Sequence, residues 1–189
     1  MNYLEHRIIT EGIVIEESIL KVNHFLNQQI DPSLLRFVAE SFSLYFKDHN
    51  INKILTIEAS GIAFAVVTAL AMNDLPLVFA KKGSSKLSGD DFQSKVYSFT
   101  KKQHYQIGID KRLLNKEDRV LLIDDFLADG NAVLGLLELC NQAKAEVVGI
   151  GIVIEKSFQA GRKILDEQGW DVYSLARIKS LKNNIVELQ

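Results

Sequence analysis

At 189 residues, with 47% apolar and 24% charged side chains, the chain is long enough to bury one sizeable core and short for two ordinary domains, so a single domain spanning 1–189 is expected. The 22 Lys and Arg against 24 Asp and Glu leave a net charge of −2. That balance excludes the broad positive field that draws a protein onto nucleic acid, but it still allows a local anion site at a helix start or turn.

The N-terminus, Met1 to Arg7, is charged and has no signal-peptide apolar core. The longest apolar stretch, Ile62 to Met72, is shorter than the roughly 18 residues of a membrane span, so a cytoplasmic protein with no membrane partner is expected. Asp31 and Pro32 mark a helix start, followed by Leu35, Val38, Ala39, Phe42 and Tyr45 at helical spacing. Ile54 to Ile57 reads as a buried strand, Glu58-Ala59-Ser60-Gly61 as a turn, and Ile62 to Met72 as a packed helix. Leu77 to Ala80 is a second strand. The polar stretch Lys81 to Lys95 after it has the length of a functional or a disordered loop, and in an enzyme it would close as a lid to exclude water.

Val96 to Phe99 and Tyr105 to Ile109 read as paired strands around a turn at Lys101-Lys102-Gln103. Val120 to Ile123 is wholly apolar, as a central parallel strand requires. It leads through Asp124-Asp125-Phe126-Leu127-Ala128-Asp129-Gly130 into a helix from about Asn131 to Ala143, where Cys140 reads as a packed thiol. A strand over Val147 to Ile154, a helix near Phe158 to Glu167 and a strand near Val172 to Leu175 complete the alternation. It predicts an α/β fold: a mainly parallel twisted sheet with helices on both faces.

The chemistry concentrates in Val120 to Ala132. Ligands bind beyond the carboxyl ends of strands in such sheets, and two adjacent carboxylates there can accept from a vicinal diol. The small-residue turn Ala128 to Ala132 can aim backbone N–H groups at a phosphate, and a diol beside a phosphate describes ribose 5-phosphate. On the local pattern alone, the same aspartates serve equally well as helix caps or solvated groups. A signalling receiver domain also ends a strand in acids, but near its start, whereas here βα units precede the pair. No P-loop and no complete dinucleotide fingerprint is present, and His6, His24, His49 and His104 are scattered rather than set at metal-ligand spacing. Ser60 lacks the Gly-x-Ser-x-Gly setting of a nucleophile.

These residues resemble the purine phosphoribosyltransferases of the type I family, and nearly the whole chain is similar to the bacterial xanthine branch. The segments that carry the likeness are Leu20 to Asn27, Thr56 to Ala63, Phe79 to Lys82, Val96 to Lys101, Leu122 to Ala132 and Gly149 to Arg162. The resemblance implies a glycosyltransferase of purine salvage, joining xanthine to the ribose of phosphoribosyl pyrophosphate (PRPP) with release of pyrophosphate and xanthosine 5′-monophosphate (XMP). Alternatives are a hypoxanthine, guanine or adenine enzyme of the same class, or a PRPP-sensing regulator that binds nucleic acid, which the net charge disfavours.

It further implies that Asp124 and Asp125 hold the ribose hydroxyls, that Ala128, Asp129, Gly130, Asn131 and Ala132 cradle the 5-phosphate, and that Glu58, Ala59, Ser60 and Gly61 receive pyrophosphate. Lys81 adds positive charge at the catalytic centre, while Leu20, Asn27 and Lys156 frame the purine. Amide and ammonium donors suit the two oxo groups of xanthine. A hood is expected from about residues 1–30, with C-terminal residues as a further contributor. Mg²⁺ is expected to arrive with PRPP without a certain protein ligand, and a homodimer without organic cofactor is implied. Two positions depart from the family pattern: Asp129 stands where asparagine is usual, and Phe64 where proline is usual.

Overall fold

The computed structural model describes residues 1–83, 90–98 and 103–189. Five strands form its parallel centre: β3 (Lys53–Ile57), β4 (Leu77–Lys82), β7 (Arg119–Leu127), β8 (Glu146–Lys156) and β9 (Val172–Ser180). They lie in the order β9-β8-β7-β3-β4. The antiparallel β10 (Glu187–Leu188) borders β9, and the hairpin β5 (Asp91–Ser98) with β6 (Gln103–Asp110) extends the other side through β6 against β4.

The run Val120 to Ile123 is apolar throughout because both of its faces are covered. Leu121 and Ile123 pack into one cluster with α2 (Pro32–Tyr45) and α3 (Gly61–Ala71). Val120 and Leu122 pack into another with α4 (Asn131–Ala143) and Leu165 of α5 (Ala160–Glu167). Cys140 is buried in the second cluster. Among the described residues no helix is long and apolar enough to cross a membrane.

The first thirty residues share the first cluster. Helix α1 (Tyr3–Glu11) starts on a capping box between Asn2 and Glu5, and its Leu4 and Ile8 are fully buried. A two-stranded ribbon, β1 (Ile13–Ile15) with β2 (Ile19–Lys21), leads into a π-helical turn over Asn23–Asn27 that buries Phe25 and Leu26. Arg7 ties this unit down. Its guanidinium lies 4.8 Å from the Phe25 ring centroid, bonds Asp31 at 2.5 Å and pairs with Glu11.

Asp31 does cap α2, accepting from Ser33 N–H at 2.8 Å with Pro32 in the first turn. The apolar stripe, however, runs through Leu34, Val38, Ala39, Phe42 and Phe46. Leu35 is half-buried, and Tyr45 stays 42% exposed, stacked on Tyr173 at 4.0 Å. The polar stretch assigned to a loop is shorter than expected: Lys81 and Lys82 end β4, and β5 already begins at Asp91. β5 is the edge of the sheet, where one face meets water, so polar residues belong in it. Residues 84–89 and 99–102 of the expected lid and turn lie outside the described residues. The last strand runs on to Ser180 instead of stopping at Leu175. Phe64, where the family pattern has proline, is fully buried in the first cluster.

Candidate active site

Strand β7 carries the acid pair at its C-terminal end, between β3 and β8. Their carboxyls stay close enough for Asp125 to bear on Asp124 through both charge and hydrogen bonding. Asp124 is 4% and Asp125 8% exposed, so both acids are withheld from bulk water. Burial, then the neighbouring Asp125, pushes the Asp124 carboxyl well above its ordinary range, and the Lys82 ammonium partly opposes the shift. The Asp125 N–H donates to Asp124 Oδ1 at 3.0 Å, and Asn27 Nδ2 donates to Asp125 Oδ2 at 2.7 Å.

Beyond the acids the chain turns at Gly130, whose φ of +83° favours glycine, and α4 starts. No side chain caps this start, so the first N–H groups of α4 are left to a ligand or water. Ala128, Asp129, Gly130, Asn131 and Ala132 line a hollow of about 180 Å³. Val96, Tyr97, Tyr105, Phe126, Leu127 and Val133 complete its walls.

The turn Glu58-Ala59-Ser60-Gly61 lies at the adjacent strand end and opens α3. Its Glu58–Ala59 peptide is cis. Glu58 Oε1 accepts from Lys82 N–H at 2.5 Å, joining the turn to β4. Gly61 must be glycine, since a Cβ there would sit 2.2 Å from Thr56 Oγ1 and 3.2 Å from Asp124 Oδ1. The bare Cα thus lets the acid pair and this turn close on one another. Thr56 Oγ1 is buried in the same place without a hydrogen-bond partner.

The residues assigned to the purine converge from two sides. Lys156, at the end of β8, donates to Ser18 O at 2.9 Å, and its ammonium lies 5.9 Å from the Phe126 ring centroid. Leu20, 6% exposed, belongs to the ribbon whose turn holds Ser18. Asn27 reaches Asp125, as above. Burial lowers the Lys156 ammonium from its ordinary value, and the Asp129 charge partly offsets this. The acid at position 129 thus bears on Lys156 through its charge.

Sequence reasoning singled out Lys81, which is exposed and pairs with Gly108 across β4 and β6. Its neighbour Lys82 is the lysine whose charge bears on Asp124, and its ammonium lies 5.4 Å from the Tyr105 ring centroid. Burial, then the charge of Asp124, raises the Tyr105 hydroxyl above its ordinary range. Tyr97, Tyr105, Phe126 and Thr56 were missed as site residues. Tyr97 and Tyr105 come from a hairpin remote in sequence, and periodicity assigns Thr56 to the core. Only the alternation of β6, which would turn Tyr105 to the same face as Ile107, held a usable signal.

The comparisons with known proteins agree with this geometry. Residues 28–184 match the family described as the phosphoribosyl transferase domain. The chain is 52% identical over 188 residues to xanthine phosphoribosyltransferase 1 of Clostridium botulinum strain Hall, covering 99% of this chain and 98% of that one. It is 51% identical over 187 residues to a xanthine phosphoribosyltransferase of Acinetobacter baumannii strain ACICU, covering 98% and 97%. A crystal structure of adenine phosphoribosyltransferase from Giardia lamblia, complexed with 9-deazaadenine, superposes with a TM-score of 0.71 at 28% identity, over 77% of this chain and 80% of that one. Acid pair, small-residue turn and glycine-opened strand end stand together within a match of this extent, and the chain belongs to the phosphoribosyl transferase family.

Proposed function

We propose that this chain transfers the phosphoribosyl group of PRPP to xanthine, releasing pyrophosphate and forming XMP in purine salvage. The observation that carries the reading is the convergence, at the ends of β7 and β3, of two buried acids and two uncapped helix starts. The names of its curated relatives favour xanthine among the purines.

In the reaction the bond from ribose C1 to the pyrophosphate oxygen breaks, a purine nitrogen bonds to C1, and the proton of that nitrogen is released. Asp124 and Asp125 would accept from the two ribose hydroxyls, which requires the Asn27 amide to yield its place on Asp125. The amides of Ala128 to Ala132 would hold the 5-phosphate, and the Glu58 to Gly61 turn the pyrophosphate, with Lys81 and Lys82 supplying positive charge. Catalysis then rests on placement and charge neutralisation. Lys156 and Asn27 would donate to the xanthine oxo groups, with Leu20 against the ring.

Magnesium would supply further charge neutralisation on the leaving group. Among the described residues no group of three or more His, Cys, Asp or Glu side chains is set to hold a metal. An ion that kept most of its waters would need no such cage, and Asp124 and Asp125 are the acids that would hold it.

Residues 1–30 would act as the hood, supported by the Lys156 to Ser18 and Asn27 to Asp125 bonds, with the C-terminal segment joining through Asn183 N–H on Glu17 at 2.9 Å. The enzyme would work in the cytoplasm as a homodimer. The nearly all-apolar α3 supports the dimer, since its Val66 and Leu70 remain 41% and 63% exposed.

A spectrophotometric assay with PRPP, Mg²⁺ and xanthine, guanine, hypoxanthine or adenine tests the activity. Xanthine should give the highest kcat/KM, and absence of turnover with every purine would refute the reading. Sedimentation of the parent and of Leu70→Glu tests the dimer: a monomeric parent would refute it.

A further inference from the structure

Behind the phosphate loop lies the start of α5, and the two backbones touch. Gly161 N–H donates to Ala128 O at 3.0 Å. A Cβ on Gly161 would come 2.5 Å from that oxygen and 2.6 Å from Gly130 N, while a Cβ on Gly130 would come 3.0 Å from Gly161 Cα. Neither backbone can shift far without displacing the other.

The next residue carries the contact onward. Arg162 Nη1 bonds Glu155 Oε2 at 3.0 Å, and Arg162 Nε bonds Asp166 within α5 at 2.7 Å. Glu155 is fully buried at the end of β8, one residue before Lys156. It also accepts from Ser157 Oγ at 2.5 Å, Ser174 Oγ at 2.6 Å and Arg177 Nε at 3.0 Å. Burial raises this carboxyl, but its four donors outweigh burial and leave it below its ordinary range. It is therefore a charged anchor that a neutral residue would not replace. Strand pairing places Leu127 of β7 beside Glu155 of β8, which fixes the strands but not the loop beyond them.

We propose that Gly161, Arg162 and Glu155 are positioning residues that set the separation between the phosphate loop and the purine-side Lys156. The nucleotide spans that separation. Bond formation needs ribose C1 and the purine nitrogen within about 3–3.5 Å, and a misplacement of about 1 Å costs on the order of 100-fold in rate. A lysine and a loop on different strands hold that tolerance only if something ties them together, and this run of contacts does. The inference rests on the phosphate and purine assignments proposed above.

The test uses the full chain with Arg162→Gln, Arg162→Lys, Gly161→Ala and Ala132→Glu, each checked for folding by thermal unfolding. It reads kcat with PRPP and xanthine, and calorimetric affinity for ribose 5-phosphate and for XMP. Arg162→Gln should lower kcat and XMP affinity at least about tenfold, while ribose 5-phosphate binding stays within about threefold. Arg162→Lys, which keeps a charge for Glu155, should recover most of the loss. Gly161→Ala should weaken ribose 5-phosphate itself, because its methyl enters the loop.

Equal weakening of both ligands by Arg162→Gln, or no change in kcat and XMP affinity, would overturn the positioning role. Ala132→Glu separates the two readings, since it places a carboxylate in the proposed phosphate loop. If it leaves ribose 5-phosphate affinity intact, the phosphate assignment falls and the positioning role falls with it. If it abolishes that affinity while Arg162→Gln is silent, only the positioning role fails.

Discussion

Removing the Asn27 amide tests whether the N-terminal segment and the acid pair are one energetic unit. The Asn27 Nδ2 to Asp125 Oδ2 bond is 2.7 Å long and ends on a side chain only 8% exposed. A hydrogen bond to a charged acceptor contributes about 1.5–3 kcal/mol, so Asn27→Ala should destabilise the fold by about 2 kcal/mol. In a domain of this size that is a fall in Tm of about 4–8 °C.

The single variant mixes the bond with any repacking of the turn, so the measurement should be a double-mutant cycle with Asp125→Ala, read by urea unfolding. Asp125→Ala also relieves the crowding of Asp124, but that term is present with and without Asn27 and cancels. A coupling energy of about 2 kcal/mol is expected. Coupling under about 0.5 kcal/mol, the usual scatter between independent sites, would refute the claim that the N-terminal segment is locked to the acid pair.

Three further outcomes follow from the same site. The Asp124 carboxyl sits above its ordinary 3.8, so the folded state holds that proton more tightly than the unfolded chain; stability is then greatest below 3.8 and declines as pH rises through the folded value. Asp124→Asn should remove this decline and raise Tm at neutral pH while lowering kcat/KM, and a Tm change independent of pH would count against the sign. Thr56→Val replaces an unpartnered buried hydroxyl by a methyl group, so stability by urea unfolding should hold or rise by about 1 kcal/mol, and a loss above that would mean that the hydroxyl has a partner. Lys82→Met should raise KM for PRPP and push the acid limb of the rate profile upward, because the opposing charge on Asp124 is gone; Lys81→Met should move that limb less.

Much of the architecture was legible because its signals are local. An apolar run ending in two acids needs burial on both faces, and β7 has it; Asp31 and Pro32 started α2 where expected. The end of β5 from Val96 was read as a strand, but its first half, Asp91 to Lys95, was hidden because exposed Gln93 and Lys95 break any apolar run. Val38, Ala39 and Phe42 of α2 are buried as expected; only the ends of the stripe differ, with Leu34 and Phe46 buried in place of Leu35 and Tyr45, whose ring stacks on Tyr173. Resemblance pointed to candidate site residues, yet it gave no hint that Lys82 bears on Asp124 or that Asn27 rests on Asp125.

The chain alone determined its periodicities, its caps and the adjacency of Asp124, Asp125 and the small-residue turn, because each depends on residues a few positions apart. Tertiary structure decided what crosses long sequence distances: the Asn27 amide on Asp125, Tyr105 at the hollow lined by Ala128 to Ala132, and Gly161 pressed on Ala128 and Gly130. Such contacts depend on how strands order within the sheet and which face each side chain takes, and no local propensity encodes either.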